Sequence, residues 1–273
     1  MTVPCAITMP ASFRVATLNI WNRFGPWDER RPLLHAELGR LMPDVIGLQE
    51  VLRLDEPVVD QLAMVSEGLG YHAAWGRHPE RHDWPVGNAV LSRWPIRRHQ
   101  AYALPDGGTE ERRSVVFAEI EAPFGLLPFF VTHLNWKLDQ GHIRVEQVKA
   151  LTRLVAELAP EHGFPPVITG DFNAEPGSDE IRYMRGLTGL GGPCVHFHDC
   201  FDAAGDGPGY TFARRNPFAR LSHEPNRRID YVFSRGGDDR YRGEPLEATV
   251  CFDQDRDGVF PSDHFGVIAT LSA

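Results

Sequence analysis

Polar residues that bind metals or transfer protons follow many of the apolar, strand-like segments of this sequence. They are Asn19, Glu50, His133, Asn135, Asp171, Asn173, Asp230, Asp263 and His264. Because the ends of neighbouring strands meet at one edge of a sheet, we expect these side chains to converge in one crevice. Carboxylates and amides are the hard oxygen ligands that Mg²⁺ prefers, and an imidazole held by a carboxylate accepts a proton or stabilises charge on phosphorus. The residue types therefore predict metal-assisted hydrolysis of a phosphate ester.

Other metals fit the sequence less well. The chain offers no Cys ligand set for zinc, and His196-Phe197-His198-Asp199 lacks the further His of a binuclear zinc site, so we interpret it as alternating strand residues. Asp253, Asp255 and Asp257 begin like a calcium-binding loop, but the twelfth position is His264 instead of Glu. We therefore favour a solvated acidic loop over a calcium site there. Mn²⁺ suits the same oxygen ligands as Mg²⁺ and stays open.

The elements that must position these residues alternate along the chain. Apolar alternation predicts strands over residues 13–19, 44–48, 71–75, 88–92, 114–120, 126–133, 167–169, 229–233 and 267–271. Helical spacing of apolar residues predicts helices over 29–41, 57–69 and 141–158. Interleaved helices and strands, with strands in the majority, indicate a layered α/β sandwich. Because no linker or repeat interrupts the pattern, we expect one domain over residues 1–273, with 1–12 open as a disordered segment.

Composition excludes several classes of protein. The 273 residues are 42% hydrophobic and 24% charged, which is typical of a soluble globular chain rather than a disordered or collagen-like one. The net charge of −9 repels polyanions and weakens a nucleic-acid interpretation without excluding it. We find no transmembrane segment and no secretory signal, and the four irregularly spaced cysteines suit reduced thiols. A cytoplasmic location is therefore expected, and no feature predicts a protein partner.

Seven short motifs, taken in order, resemble those of the endonuclease/exonuclease/phosphatase superfamily. They are Leu18-Asn19, Leu48-Gln49-Glu50, Gly87-Asn88-Ala89-Val90-Leu91-Ser92, Thr132-His133-Leu134, Gly170-Asp171-Phe172-Asn173, Arg228-Ile229-Asp230-Tyr231 and Ser262-Asp263-His264. The superfamily includes deoxyribonuclease I, abasic-site endonucleases, inositol polyphosphate 5-phosphatases and neutral sphingomyelinases. The resemblance spans residues 13 to 272. It implies a four-layer α/β sandwich, with two mixed β-sheets packed face to face and helices outside.

The resemblance also implies Mg²⁺-dependent hydrolysis and a metal side of the site. By motif, Glu50 is similar to the principal metal ligand, and Asn19 stands beside it. Asp263 resembles the acidic residue near the metal.

The remaining motif positions resemble residues that handle phosphate and water. Asp171 and Asn173 resemble the pair that positions the nucleophilic water and the phosphate. The His264 position is similar to the imidazole near the scissile phosphate, oriented by Asp230. His133 resembles the second imidazole of such sites. Arg113 stands where many members carry a phosphate-contacting arginine or tyrosine, with Arg112 as the alternative register.

Substrate contacts outside these motifs are predicted from charge and aromatic residues. Between Phe212 and Asp230, five arginines and one glutamate give a local charge of +4. We call residues 212–230 the arginine segment; its Arg214 and Arg215 either clamp a second phosphate or belong to a solvated loop. Trp84 suits stacking on a base or covering a choline-like cation. Asn135 is a further substrate-binding candidate.

The leading hypothesis is a metal-dependent phosphodiesterase, with a small-molecule or lipid-type substrate slightly favoured. Abasic-site nucleases carry Asn-Trp-Asp where this chain has Asn19-Ile20-Trp21, and the Asn-x-Trp form is closer to sphingomyelinase-like members. A Mg²⁺-dependent endo- or exonuclease on DNA or RNA is the alternative. A non-catalytic binding module of the same fold is a remote third hypothesis.

Overall fold

Thirteen strands and six helices lie within the part of the chain that the computed structural model describes, residues 11–55, 57–79, 85–160, 163–236 and 240–273. The strands are β1 (Ser12–Asn19), β2 (Val45–Leu54), β3 (Val59–Asp60), β4 (His72–Arg77), β5 (Val86–Ser92), β6 (Ile96–Ala103), β7 (Ser114–Ala122), β8 (Gly125–His133), β9 (Val167–Asp171), β10 (Phe197–Asp199), β11 (Asp230–Arg235), β12 (Pro245–Cys251) and β13 (Gly266–Ser272). The helices are α1 (Trp27–Leu41), α2 (Gln61–Ser66), α3 (Gly141–Leu158), α4 (Asp179–Met184), α5 (Cys200–Ala204) and α6 (Pro217–Arg220).

The strands form two mixed sheets. The first sheet has the order β12-β13-β1-β2-β5-β4, and the short β3 pairs with β2. The second sheet has the order β10-β11-β9-β8-β7-β6. Each sheet contains one parallel pair, β1 with β2 and β8 with β9, and the other pairs are antiparallel. These parallel pairs place the carboxyl ends of four strands at one end of the molecule.

Three apolar clusters hold the layers together. The cluster between the sheets joins Phe13 and Val15 of the first sheet to Phe129 and Val131 of the second. Leu34 and Leu38 of α1 pack on the outer face of the first sheet. Residues of α3 and α4, among them Leu151 and Ile181, pack on the outer face of the second sheet. The expected sandwich of two mixed sheets with helices outside is confirmed.

The predicted and observed elements differ where an element depends on polar contacts or backbone pairing instead of a buried apolar face. Helix α3 runs over the predicted range, since its buried side chains repeat at helical spacing. The helix expected over 57–69 is shorter, because Val59 and Asp60 pair with β2 and the Asp60 carboxylate then accepts from the Ala63 amide as the N-cap of α2. Strands β6 and β12 lack the apolar alternation of a predictable strand, since most side chains of β6 are exposed and only Ala248 and Cys251 of β12 are buried.

Two further observations bear on the composition. No helix of the described ranges is long and apolar enough to cross a membrane. Cys194, Cys200 and Cys251 are free thiols, of which Cys200 and Cys251 are buried.

Candidate active site

Strand register brings three of the predicted residues side by side in the second sheet. Asp171 at the end of β9 is the ladder partner of His133 in the parallel strand β8 and of Asp230 in the antiparallel strand β11. In the first sheet, Asn19 ends β1 beside Gln49 of β2. Both sheets therefore deliver polar residues to the same end of the sandwich.

The buried carboxylate of Asp171 is the centre of the site. Its Oδ2 accepts a hydrogen bond from Asn19 Nδ2 at 3.1 Å, and its Oδ1 accepts from the backbone amide of Asn173 at 2.9 Å. The Nε2 atoms of His133 and His264 lie 3.4 and 3.7 Å from the same Oδ2. Burial and the neighbouring Asp230 raise the pKa of Asp171 to about 6, although these partners oppose the rise.

His264 is held as a cation by the carboxylates around it. Its Nδ1 lies 2.9 Å from Oδ2 of the fully buried Asp230. Burial by itself would lower the pKa of His264, but Asp230, Asp171 and Asp263 raise it well above its usual value. The Nε2 atom, which faces Asp171, therefore carries a proton.

His133, unlike His264, is neutral. Burial lowers the pKa of His133 well below its usual value, and the nearby Arg113, His78 and His264 lower it further. Nη1 of Arg113 donates to Nδ1 of His133 at 3.0 Å, since a guanidinium has donors only. The single proton of the neutral ring therefore lies on Nε2, toward Asp171. A neutral and a cationic imidazole thus flank one carboxylate.

The first sheet and the segment before β13 add two carboxylates. Glu50 stands in a β-bulge of β2 and has a left-handed backbone with φ of 58°. Its Oε1 accepts from Asn19 Nδ2 at 3.1 Å, while Asn19 Oδ1 accepts from the Trp21 amide at 2.9 Å. Burial raises the pKa of Asp263 to about 7, and Glu50 contributes to the rise. The side-chain nitrogen of Asn19 therefore orients the carboxylates of both Glu50 and Asp171.

Four carboxylates meet here, and we call Glu50, Asp171, Asp230 and Asp263 the acidic floor. Ligand atoms of Asp171, Asp230 and His264 lie within 4.8 Å of one another, the one such group of three among the described residues. One oxygen of Asp230 is buried without a hydrogen-bond partner. An excess of buried carboxylate oxygens fits a divalent cation with hard-ligand preference, such as Mg²⁺ or Mn²⁺.

A buried arginine fixes the backbone on the first-sheet side of the site. Arg30 of α1 is fully buried and donates to five backbone carbonyls at 2.8–3.2 Å, those of Ile20, Trp21, Asn22, Phe24 and Pro261. Its guanidinium also lies 4.8 Å from the centre of the Trp21 ring. Burial lowers the pKa of Arg30 to about 10, still far above neutral pH. The residue therefore joins the segment after β1 to the segment that carries Asp263 and His264.

A cleft of about 600 Å³ opens over the acidic floor. The predicted residues that line it are Asn19, Glu50, Arg113, His133, Asp171, Asn173, Asp263 and His264. Asp230 lies beneath them against His264. Arg112 also lines the cleft but pairs with Asp106, so Arg113 is the arginine that contacts the imidazole.

Two aromatic residues that no sequence motif predicted, Phe24 and Trp136, also line this cleft. Trp136 directly follows Asn135, so an extension of the strand-end motif by one residue would have found it. Nothing in the sequence pattern marks Phe24.

Three of the predicted substrate-binding residues, Asn135, Arg214 and Arg215, do not line the cleft. Asn135 is buried, and its Oδ1 accepts from the Lys137 amide at 3.1 Å. Arg215 forms an ion pair with Asp253 at 2.6 Å, and Arg214 is exposed next to it. The structure instead brings Arg227 of the arginine segment to the cleft. Trp84 lies outside the described residues.

The two alternative metal motifs are engaged in local structure. Asp253 pairs with Arg215, and the Asp255 carboxylate accepts from the Gly258 amide at 2.8 Å in a turn. His198 lies in strand β10, with its ring 5.2 Å from that of His196.

Comparison with known proteins agrees with this geometry. The model of the endonuclease/exonuclease/phosphatase family matches residues 16–264. The chain is 28% identical over 230 residues to the uncharacterised protein YbhP of Escherichia coli, which covers 78% of this chain and 84% of YbhP. It is 31% identical over 159 residues to exodeoxyribonuclease III of Haemophilus influenzae, 54% of each chain. An endonuclease/exonuclease/phosphatase structure from Beutenbergia cavernae superposes with a TM-score of 0.71 at 26% identity, covering 96% of this chain and 71% of that one.

Proposed function

This chain belongs to the endonuclease/exonuclease/phosphatase family, and on that premise we propose that it is a metal-dependent phosphoesterase. The reaction we propose is hydrolysis of a phosphodiester by in-line attack of water. The proposal places the reacting phosphorus over Asp171, between the two imidazoles.

One observation carries the proposal: a single buried carboxylate lies between a neutral and a cationic imidazole. His133 and His264 approach the same oxygen of Asp171, at 3.4 and 3.7 Å. Neighbouring groups whose pKa values are driven apart are characteristic of acid–base and electrostatic catalysis. The cleft above them is large enough for a small phosphodiester.

Each residue then has a distinct task in the proposed reaction. Asp171 accepts the proton of the attacking water, since a carboxylate with a pKa of about 6 is ionised yet basic at neutral pH. The water oxygen forms the new bond to phosphorus while the bond to the leaving oxygen breaks. The cationic His264 stabilises the negative charge that develops on the phosphate oxygens, and Asp230 keeps its ring in place. Arg113 fixes the His133 tautomer and adds positive charge.

We infer that Glu50 and Asp263 hold the metal, with Asn19 orienting Glu50. When bound, Mg²⁺ supplies Lewis-acid neutralisation of phosphate charge, and Mn²⁺ suits the same ligands. Removal of either carboxylate should weaken metal binding without disturbing the Asp171–His264 contact.

A nuclease acting on DNA or RNA is the second candidate, favoured by the similarity to exodeoxyribonuclease III. A protein that grips several backbone phosphates loses affinity steeply with rising salt. The salt dependence of binding to single- and double-stranded oligonucleotides therefore separates a nuclease from an enzyme for small or lipid-type phosphodiesters.

Hydrolysis assays test the proposal directly. The substrates are an activated aryl phosphodiester, an aryl phosphomonoester, sphingomyelin and plasmid DNA, each with Mg²⁺, with Mn²⁺ and with EDTA. Turnover that EDTA abolishes and that His264→Ala lowers supports the proposal, and the preferred substrate selects the branch.

Titration with Mg²⁺ separates an enzyme from a binding module. A non-catalytic member should bind the metal weakly and hydrolyse none of the four substrates. If none of the four substrates is hydrolysed and no metal binding is detected, the proposed function is contradicted.

A further inference from the structure

We propose that Phe24 and Trp136 form an aromatic subsite that binds a planar ring attached to the reacting phosphate. The substrate class is therefore a phosphodiester that carries a nucleobase or another aryl group, and this assignment rests on the proposed function of the cleft. The two side chains come from loops of different sheets, Phe24 between β1 and α1 and Trp136 between β8 and α3. Both line the cleft that contains Asp171 and His264.

Trp136 is exposed but held in place. Its side chain is 51% exposed, an unusual position for an indole without a ligand. Its only polar atom, Nε1, donates to Glu111 Oε1 at 3.1 Å, and Glu111 lies 3.5 Å from Arg113. The indole is thereby tied to the residue that contacts His133, while half of its surface stays open. Such an anchored ring stacks at low entropic cost.

Phe24 is exposed on a backbone that is equally fixed. Its side chain is 50% exposed, yet its carbonyl accepts two hydrogen bonds from the buried guanidinium of Arg30, at 2.8 and 3.1 Å. Its amide donates to the Trp21 carbonyl at 3.1 Å, and the Trp21 ring lies 6.2 Å from its own. A rigid loop therefore presents an apolar ring to the cleft instead of burying it.

The arginines that line the cleft are paired with carboxylates, so we expect the two aromatic rings to bind the part of the substrate beyond the reacting phosphate. Among the described residues that line the cleft, the arginines are Arg112, Arg113 and Arg227, and each forms an ion pair with a neighbouring carboxylate, Asp106, Glu111 and Glu224 respectively. Paired guanidiniums attract additional phosphates less than free ones do, since the carboxylate offsets the charge. The cleft thus favours ring stacking over an electrostatic grip on a long polyanion.

The test compares thymidine 5′-monophosphate with 2-deoxyribose 5-phosphate, in which a hydroxyl group replaces the nucleobase. Their dissociation constants are measured by isothermal titration in one Mg²⁺ buffer, so that the result does not depend on turnover. We expect the nucleotide to bind about tenfold more tightly, as stacking on one aromatic side chain provides. Trp136→Ala and Phe24→Ala should each remove most of this preference and leave the affinity for the sugar phosphate unchanged.

Two variants control for folding and for general loss of apolar surface. Trp136→Phe retains a ring and should retain most of the preference. Leu138→Ala removes an exposed apolar side chain from the same loop, outside the cleft lining, and should change nothing.

Equal affinities for the two ligands, no binding of either, or an equal loss of preference in Leu138→Ala would each overturn the aromatic subsite. The proposed function stands or falls separately, on hydrolysis. Base preference without hydrolysis rejects the proposed function and keeps the subsite, whereas hydrolysis without ring preference does the reverse.

Discussion

The acidic floor and the arginine segment are the two most highly charged regions that the sequence predicted to act on phosphate, and they differ in how their charges are balanced. In the acidic floor, the buried Asp171 and the partly buried Asp263 have raised pKa values near neutrality. In the arginine segment, Arg215, Arg227 and Arg228 each pair with a carboxylate. Negative charge in the floor is therefore only partly compensated, by His264, whereas positive charge in the segment is largely compensated.

A charged residue in a sequence therefore indicates function only once the residues that it pairs with are known. Arg228 forms two contacts of 2.8 Å with the buried Asp199, which sits outside the segment in strand β10. That partner lies 29 residues away and was invisible in the local count of charges. By contrast, the carboxylates of the floor have mostly other carboxylates and imidazoles as neighbours.

The largest effect is expected in the acidic floor. His264→Ala and Asp171→Ala should each lower kcat by about 10³-fold or more, because each removes proton transfer or charge stabilisation at the reacting phosphate. Steady-state kinetics measures the loss, and circular dichroism verifies that the variants fold. An unchanged rate in either folded variant would contradict the assigned roles.

A structural effect of similar energetic size is expected in the arginine segment. Arg228→Met leaves the carboxylate of Asp199 buried and unpaired, so we expect the free energy of unfolding to fall by about 3–5 kcal/mol. Urea denaturation measures this change. The double variant Arg228→Met with Asp199→Asn should recover part of the loss, and failure to recover any would show that the charge pair is not its cause.

A pH effect on stability should distinguish the two regions further. The pKa values of Asp171 and Asp263, about 6 and about 7 in the folded chain, lie above the unfolded value of about 3.9. At these two carboxyl groups the folded state binds more protons than the unfolded state between about pH 4 and pH 7, so their contribution to stability falls as the pH rises through this window. The raised pKa of His264 acts in the same direction at higher pH.

Thermal melting of the EDTA-treated protein at pH 5 and pH 7.5 measures this dependence. Because the lowered pKa values of His133 and His78 act in the opposite direction over the same pH range, the contribution of the floor is isolated by a variant. We expect Asp263→Asn to raise Tm more at pH 7.5 than at pH 5, and Mg²⁺ to raise the Tm of the unsubstituted protein at pH 7.5. An equal effect of Asp263→Asn at the two pH values would contradict the account of the floor.

The smallest effect is expected from the exposed arginines. Because Arg215 is paired with Asp253 and neither arginine lines the cleft, Arg214→Ala with Arg215→Ala should leave KM within about twofold. Loss of the exposed ion pair should cost less than about 1 kcal/mol of stability. A large rise in KM for an anionic substrate, with metal affinity unchanged, would restore these residues as substrate contacts.

The fold could be predicted from the sequence wherever burial imposed a pattern. Helix α3 presents Val148, Leu151 and Val155 on one buried face, and its predicted bounds are those observed. Strand β6 contains Arg97, Arg98, His99 and Gln100, all exposed, and exists because its backbone pairs with β7 at the sheet edge. A strand that is held in place by backbone pairing alone shows no alternation of apolar and polar residues, so its sequence does not predict it.

The site was predictable to a similar degree and for a related reason. His133, Asp171 and Asp230 end or begin strands, so the strand pattern and the family resemblance placed them together. The Arg113–His133 contact and the exposed ring of Trp136 depend on how loops pack, which residue types alone do not encode.

The contacts of the buried Arg30 join parts of the chain that are synthesised at very different times. Arg30 reaches Pro261 across 231 residues, and the Ser262 hydroxyl donates to the Asn19 carbonyl across 243. Strand β1 likewise pairs with β13 on one side and β2 on the other. At ~5–20 residues per second, the ribosome needs roughly 10–50 s to add the residues between these partners. Throughout that interval the edge of β1 that pairs with β13 stays open, and the cleft end of the nascent sandwich closes only when the last strand is added.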